Sequence, residues 1–112
     1  MLDTASKTDI FRKLNDALRI TLAGGKVTMT AAIAALPGRT KANVLSAIRQ
    51  FSNFTQDNDP HGEHDFASVE VEGERYYGKI DYYSPDMEGG SEVPADPSKT
   101  VRVLTIMHSS AY

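Results

Sequence analysis

Cysteine and tryptophan are both absent from the 112 residues. Without cysteine there can be no disulfide staple, no thiolate nucleophile and no cysteine-based zinc site. Long apolar runs are missing too: no stretch approaches the roughly 18 residues needed to span a bilayer. The opening segment, MLDTASKTDI, has an acid at position 3 and no apolar block, so it does not read as a secretory signal. No glycine-rich phosphate loop and no G-x-S-x-G nucleophile elbow occurs. The expectation is one cytoplasmic domain over residues 1–112, long enough to bury a modest core, with no cofactor.

Charge is present, but unevenly. The net is −3; residues 1–52 hold eight Lys/Arg and three Asp, and residues 53–112 hold four Lys/Arg and twelve Asp/Glu. A basic first half and an acidic second half predict a bipolar surface, unless the halves neutralise each other in the fold.

Apolar spacing predicts helices over about 7–23, 30–36 and 40–52. In the first, Ile10, Leu14, Ala17, Leu18 and Leu22 share a face, Arg19 lies off it, Thr8 is the expected cap and Gly24-Gly25 the stop. Thr28 or Thr30 caps the second, and Pro37-Gly38 ends it. Val44, Ile48 and Phe51 stripe the third, with Leu45 alongside. The period then shortens to two. Strands are expected over about 65–72, 74–83 and 100–109, with Glu72-Gly73 as a two-residue hairpin turn. Residues 84–99 form an unusually long connection. The fold class is α+β: three N-terminal helices packed on a small three-stranded antiparallel sheet.

That turn sets a register. Val71 should face Glu74, Glu70 face Arg75, Val69 face Tyr76, Ala67 face Gly78, Phe66 face Lys79 and Asp65 face Ile80. Val69, Val71, Ala67, Tyr76, Gly78 and Ile80 then form the core face. The same count carried further sets His64 beside Asp81, which would hold one imidazole tautomer. Asp65 should point inward and need backbone partners. Tyr77 and Tyr83 should lie outward with Lys79 and Asp81.

The segment FTQDNDPHGEHDF, residues 54–66, concentrates three Asp, one Glu and two His. As metal ligands, His61, His64 and Asp81 are the candidates, since nitrogen and oxygen donors suit Zn, Mn, Fe or Ni. The spacing lacks the H-E-x-x-H order of a zinc peptidase, and an EF-hand comparison fails at its Pro and at its missing closing Glu. As acid/base chemistry the pair lacks a nucleophile. As structure, DNDP is a strong turn former. Separately, three helices followed by a hairpin is the order of a winged helix. Arg39, Lys41 and Arg49 could then contact DNA, but Glu70, Glu72 and Glu74 would repel phosphates.

NDPHGEHDF (58–66), KIDYY (79–83), PADPSKT (94–100) and RVLTIM (102–107) together resemble an uncharacterised bacterial domain-of-unknown-function family. LNDALR (14–19) and ALPGRTKANVLSAIRQF (35–51) fit its first half. The chain departs from the family pattern at FAS (66–68) and at SEVPADP (91–97). The resemblance brings no catalytic residues. It implies an accessory role on plasmids and other mobile elements, where small proteins inhibit host defence in the manner of anti-restriction and anti-CRISPR proteins.

The combined reading is a non-enzymatic binding protein that inhibits a nucleic-acid-handling defence complex by protein–protein contact. Its expected surface is His61, Glu63, His64, Tyr77, Lys79, Asp81, Tyr83 and Asp96. A winged-helix DNA-binding regulator and a small metal-dependent enzyme using His61 and His64 are the alternatives.

Overall fold

The computed structural model describes residues 6–112; residues 1–5, counted within the single domain above, lie outside them. Three helices, α1 (Lys7–Thr21), α2 (Ala31–Ala34) and α3 (Gly38–Gln50), precede most of the sheet. The strands are β1 (Lys26–Met29), β2 (Phe66–Val71), β3 (Glu74–Tyr83) and β4 (Val101–His108).

Ser6, rather than Thr8, caps α1. Its hydroxyl accepts from the Asp9 amide at 3.1 Å, and the Asp9 carboxylate accepts from the Ser6 amide at 3.4 Å. This reciprocal box satisfies two donors that a helix start otherwise leaves free, and it draws the Asp9 carboxyl below its usual range. The helix ends as Leu22 turns left-handed at φ 62°, just before the two glycines. Its inner face is rotated from the expected one: Asn15, Leu18 and Arg19 are buried and Ala17 is exposed. Apolar spacing alone misplaces the face because two polar side chains turn inward to partners elsewhere in the chain.

Among the described residues the sheet has four strands, not three, and it is mixed. The order is β1-β4-β3-β2. β1, four residues between the first two helices, runs parallel to β4 from Lys26↔Val103 to Met29↔Ile106. KVTM is too short to show a period. Its strand character comes from docking along β4, far away in sequence.

The hairpin follows the sequence register throughout: Phe66↔Lys79, Ala67↔Gly78, Val69↔Tyr76, Glu70↔Arg75 and Val71↔Glu74. Glu72 and Gly73 both take positive φ, 53° and 81°, as a two-residue turn matching the strand twist requires. Glu70 and Arg75 pair at 3.4 Å on the outer face.

All three helices cover the other face. Leu18, Ile33, Val44 and Ile48 meet Ala67, Tyr76, Ile80, Leu104 and Ile106 in one apolar cluster. α3 lies so close over the sheet that a Cβ on Gly78 would stand 2.8 Å from Ile48 Cγ2. Among the described residues, no helix is long and apolar enough to cross a membrane.

Candidate functional site

Loop 51–65 brings the ionisable stretch to α1 rather than to β3. Gly62 and His64 adopt left-handed backbone, φ 69° and 56°, and the Asp59 carboxylate takes the His64 amide at 3.1 Å. The chain thus leaves the ladder just before Asp65, whose carbonyl accepts the last bond, from the Ile80 amide at 2.9 Å. The expected His64–Asp81 pair therefore does not form. His64 Nδ1 instead lies 2.9 Å from Asp16 Oδ1, and its Nε2 lies 3.6 Å from Asp59 Oδ2. The imidazole stacks on Phe54 with ring centres 3.7 Å apart and planes at 4°. Asp81 pairs with Lys79 at 3.2 Å.

Arg19 completes this corner. Its guanidinium donates to the carbonyls of Arg49 at 3.0 Å and Phe51 at 2.8 Å, and to Asp16 at 2.9 Å. It thereby caps the last turn of α3, where free carbonyls and the helix dipole favour a cation. Its Nε is buried and has no hydrogen-bond partner among the described residues. The corner opens as a cleft of about 470 Å³ bounded by Asp16, Arg19, Arg49, Phe51, Phe54 and His64.

A second polar group lies behind it. The Asn15 amide donates to the Glu63 carbonyl at 3.0 Å and to the Tyr82 hydroxyl at 2.7 Å. The Tyr82 hydroxyl in turn donates to Glu63 Oε1 at 2.9 Å. Arg102 Nε donates to Asn15 Oδ1 at 3.0 Å, and its guanidinium lies 5.0 Å from the centre of the Tyr82 ring. A second guanidinium nitrogen bonds the Pro94 carbonyl, tying down the 84–99 connection. Burial, and then the Glu63 carboxylate accepting its proton, push the Tyr82 hydroxyl far up, so that it stays a donor. Burial lowers Arg102, while Tyr82 and Glu63 oppose that. Asp65 is raised by burial first and by the Glu63 charge second.

The outer face of the sheet has a different character. Alternation along β3 sets Tyr77, Lys79, Asp81 and Tyr83 on the face away from the helices. Phe66, Tyr77 and Tyr112 form an aromatic cluster there, with ring centres 4.8 to 5.6 Å apart. Lys79 Nζ lies 5.9 Å from the Tyr112 ring centre.

The eight residues expected to act together are therefore dispersed. Tyr77, Lys79 and Asp81 share the outer face, and Tyr83 bridges to Gly90 at its end. Glu63 and His64 serve the contacts with α1. His61 is exposed on the loop. Asp96 caps a single turn of 3-10 helix, accepting from the Ser98 amide at 2.9 Å and hydroxyl at 2.6 Å, which lowers its carboxyl. Among the described residues no three His, Asp or Glu side chains converge closely enough to hold a metal ion, so His61, His64 and Asp81 do not form a ligand set. Asn15, Arg19 and Arg102 were not singled out in the sequence. A signal existed for two of them: Asn15 interrupts the apolar stripe of α1, and Arg102 shares the period-two face of Leu104 and Ile106 along β4.

No curated protein and no solved structure matches the chain. A family model described as a protein of unknown function (DUF3768) matches residues 29–111. The match begins after α1, so Asn15, Asp16 and Arg19 lie outside it. With most of its length matched, the chain belongs to this DUF3768 family of proteins of unknown function.

Proposed function

We propose that the protein acts by binding a protein partner through the outer face of its sheet. The observation that carries this is the aromatic cluster of Phe66, Tyr77 and Tyr112 on a face that none of α1, α2 and α3 covers, beside Lys79 and Asp81. Rigid aromatic rings flanked by charges are what binding hot spots are made of. Exposed acids lie at both ends of the hairpin: Glu70, Glu72 and Glu74 at the turn, and Asp86, Glu88 and Glu92 after β3. Such a surface complements a basic one, the kind nucleic-acid-handling complexes carry. In this reading the protein is an accessory inhibitor of a host defence complex and has no chemistry of its own.

The test is phage plating on a bacterial strain with an active defence complex, with and without the protein, alongside affinity capture of that complex. Plating should rise and the complex should be captured. Tyr77→Ala combined with Lys79→Glu should abolish both while leaving the circular dichroism spectrum unchanged. Capture and plating untouched by that double variant would sink the assignment of the face.

DNA contact is a second reading, favoured by Arg39, Asn43, Arg49 and Gln50, which lie exposed on α3. It predicts a salt-dependent DNA shift lost in Arg39→Glu. The acidic hairpin argues against it.

A further inference from the structure

β2 is an edge of the sheet, since the strand order ends β4-β3-β2. The Ile80 amide bonding the Asp65 carbonyl at 2.9 Å marks that pair as a hydrogen-bonded one. Bonded and unbonded pairs alternate along an antiparallel ladder. Residues 67, 69 and 71 therefore also bond β3, and Phe66, Ser68 and Glu70 turn their amides and carbonyls outward. Among the described residues, no helix or loop main chain hydrogen-bonds to those outward groups.

An open edge of this kind pairs with another strand unless proline, lysine, a bulge or a covering element blunts it. β2, FASVEV, has no proline, lysine or bulge, and its one charge, Glu70, lies on the outer face paired with Arg75 rather than turned inward. The opposite edge, β1, has only four residues and starts with Lys26.

We infer that β2 pairs antiparallel with β2 of a second copy of this chain, about a two-fold axis at Val69. The two four-stranded sheets then become one continuous sheet. Side chains select this register. An axis at Glu70 would set two carboxylates face to face. An axis at Ser68 would set Asp65 against Val71 of the second copy. With the axis at Val69, that side chain meets its own copy and Ala67 meets the second copy's Val71. Val69 and Val71 are only half-buried in one chain, and this pairing closes their apolar row. On the outer face Glu70 comes opposite Ser68 of the second copy. That hydroxyl already holds the Arg75 guanidinium at 2.8 Å. Each Glu70 thus meets the second copy's Arg75, and symmetry repeats the contact. Self-complementary patches of this kind are what two-fold dimers require.

The pairing shares Phe66 with the outer-face aromatic cluster but uses its main chain rather than its ring, and its test does not depend on partner binding. Sedimentation of purified protein over a concentration series should show a species of twice the 12.2 kDa chain mass. The chain has no cysteine, so one introduced thiol reports one contact. Val69 and its copy form an unbonded pair, with Cα atoms about 4.5 Å apart, which is within disulfide reach. Val69→Cys should cross-link almost completely under mild oxidation, and Ser68→Cys only weakly. Ser68→Pro removes an amide that β3 does not use, so it should give a folded monomer. A wild-type protein that sediments as a monomer throughout overturns the proposal, leaving the edge to an extended segment of another protein. So does a folded Ser68→Pro variant that stays dimeric. Ser68→Cys cross-linking faster than Val69→Cys overturns the register.

Discussion

Replacing Asn15 with leucine tests whether the polar group behind the cleft holds the domain together. Asn15 is fully buried. Its side chain donates to the Glu63 carbonyl and the Tyr82 hydroxyl and accepts from Arg102 Nε. Leucine has a similar volume, so the cavity cost is small and the polar cost dominates. Tyr82 keeps its bond to Glu63 Oε1, but the Glu63 carbonyl and Arg102 Nε would face hydrocarbon. A buried polar group left without a partner costs about 1–3 kcal/mol, and more when charged. Two such groups imply a loss of about 3–5 kcal/mol. A domain of this size has a total stability of roughly 6–15 kcal/mol, so the variant should lose about a third of it. Its melting temperature should fall by about 10–20 °C. Urea unfolding followed by circular dichroism measures the loss; tyrosine fluorescence is a second probe, since tryptophan is absent. Tyr82→Phe in both backgrounds completes a double-mutant cycle, with an expected coupling of about 0.5–3 kcal/mol. A loss below about 1 kcal/mol, with no coupling, would mean that water reaches these groups and would refute the reasoning.

Two further perturbations probe the core and the loop. Gly78→Ala should destabilise by about 1–3 kcal/mol through overpacking, because the new Cβ would stand 2.8 Å from Ile48 Cγ2; adding Ile48→Leu, which removes that methyl from Cβ at equal volume, should restore part of the loss in the same urea assay. Asp65 has its folded pKa raised above the usual carboxylate range, by burial first and by the Glu63 charge second. Its contribution is then fullest below the unfolded pKa and fades as pH rises through the folded one. Asp65→Asn should therefore be more stable than wild type at neutral pH and lose that advantage in acid. Parallel stability curves across pH would contradict it.

Much of the scaffold was legible along the chain because its signals are local. The Glu72-Gly73 turn dictated the hairpin, and every pair counted from it between 66 and 79 holds. The stripe of Val44 and Ile48 marked the buried side of α3. The same counting failed at His64, because the pairing rule assumes extended backbone. A glycine two residues earlier and the Asp59 carboxylate turn the chain away there. The strand KVTM was invisible for the opposite reason: too short to carry a period, it is a strand only because β4 lies beside it.

By itself the sequence determined the α+β class, the helices, the hairpin with its two faces, and the lack of thiol chemistry. Each of these rests on contacts between near neighbours or on residue type. Only the tertiary structure decided that His64 belongs with Asp16 and Phe54, that Asn15 and Arg102 meet across 87 positions, and that Tyr112 joins the outer aromatic cluster. A buried polar side chain must find a partner wherever the fold supplies one, and no local pattern records which distant residue that will be.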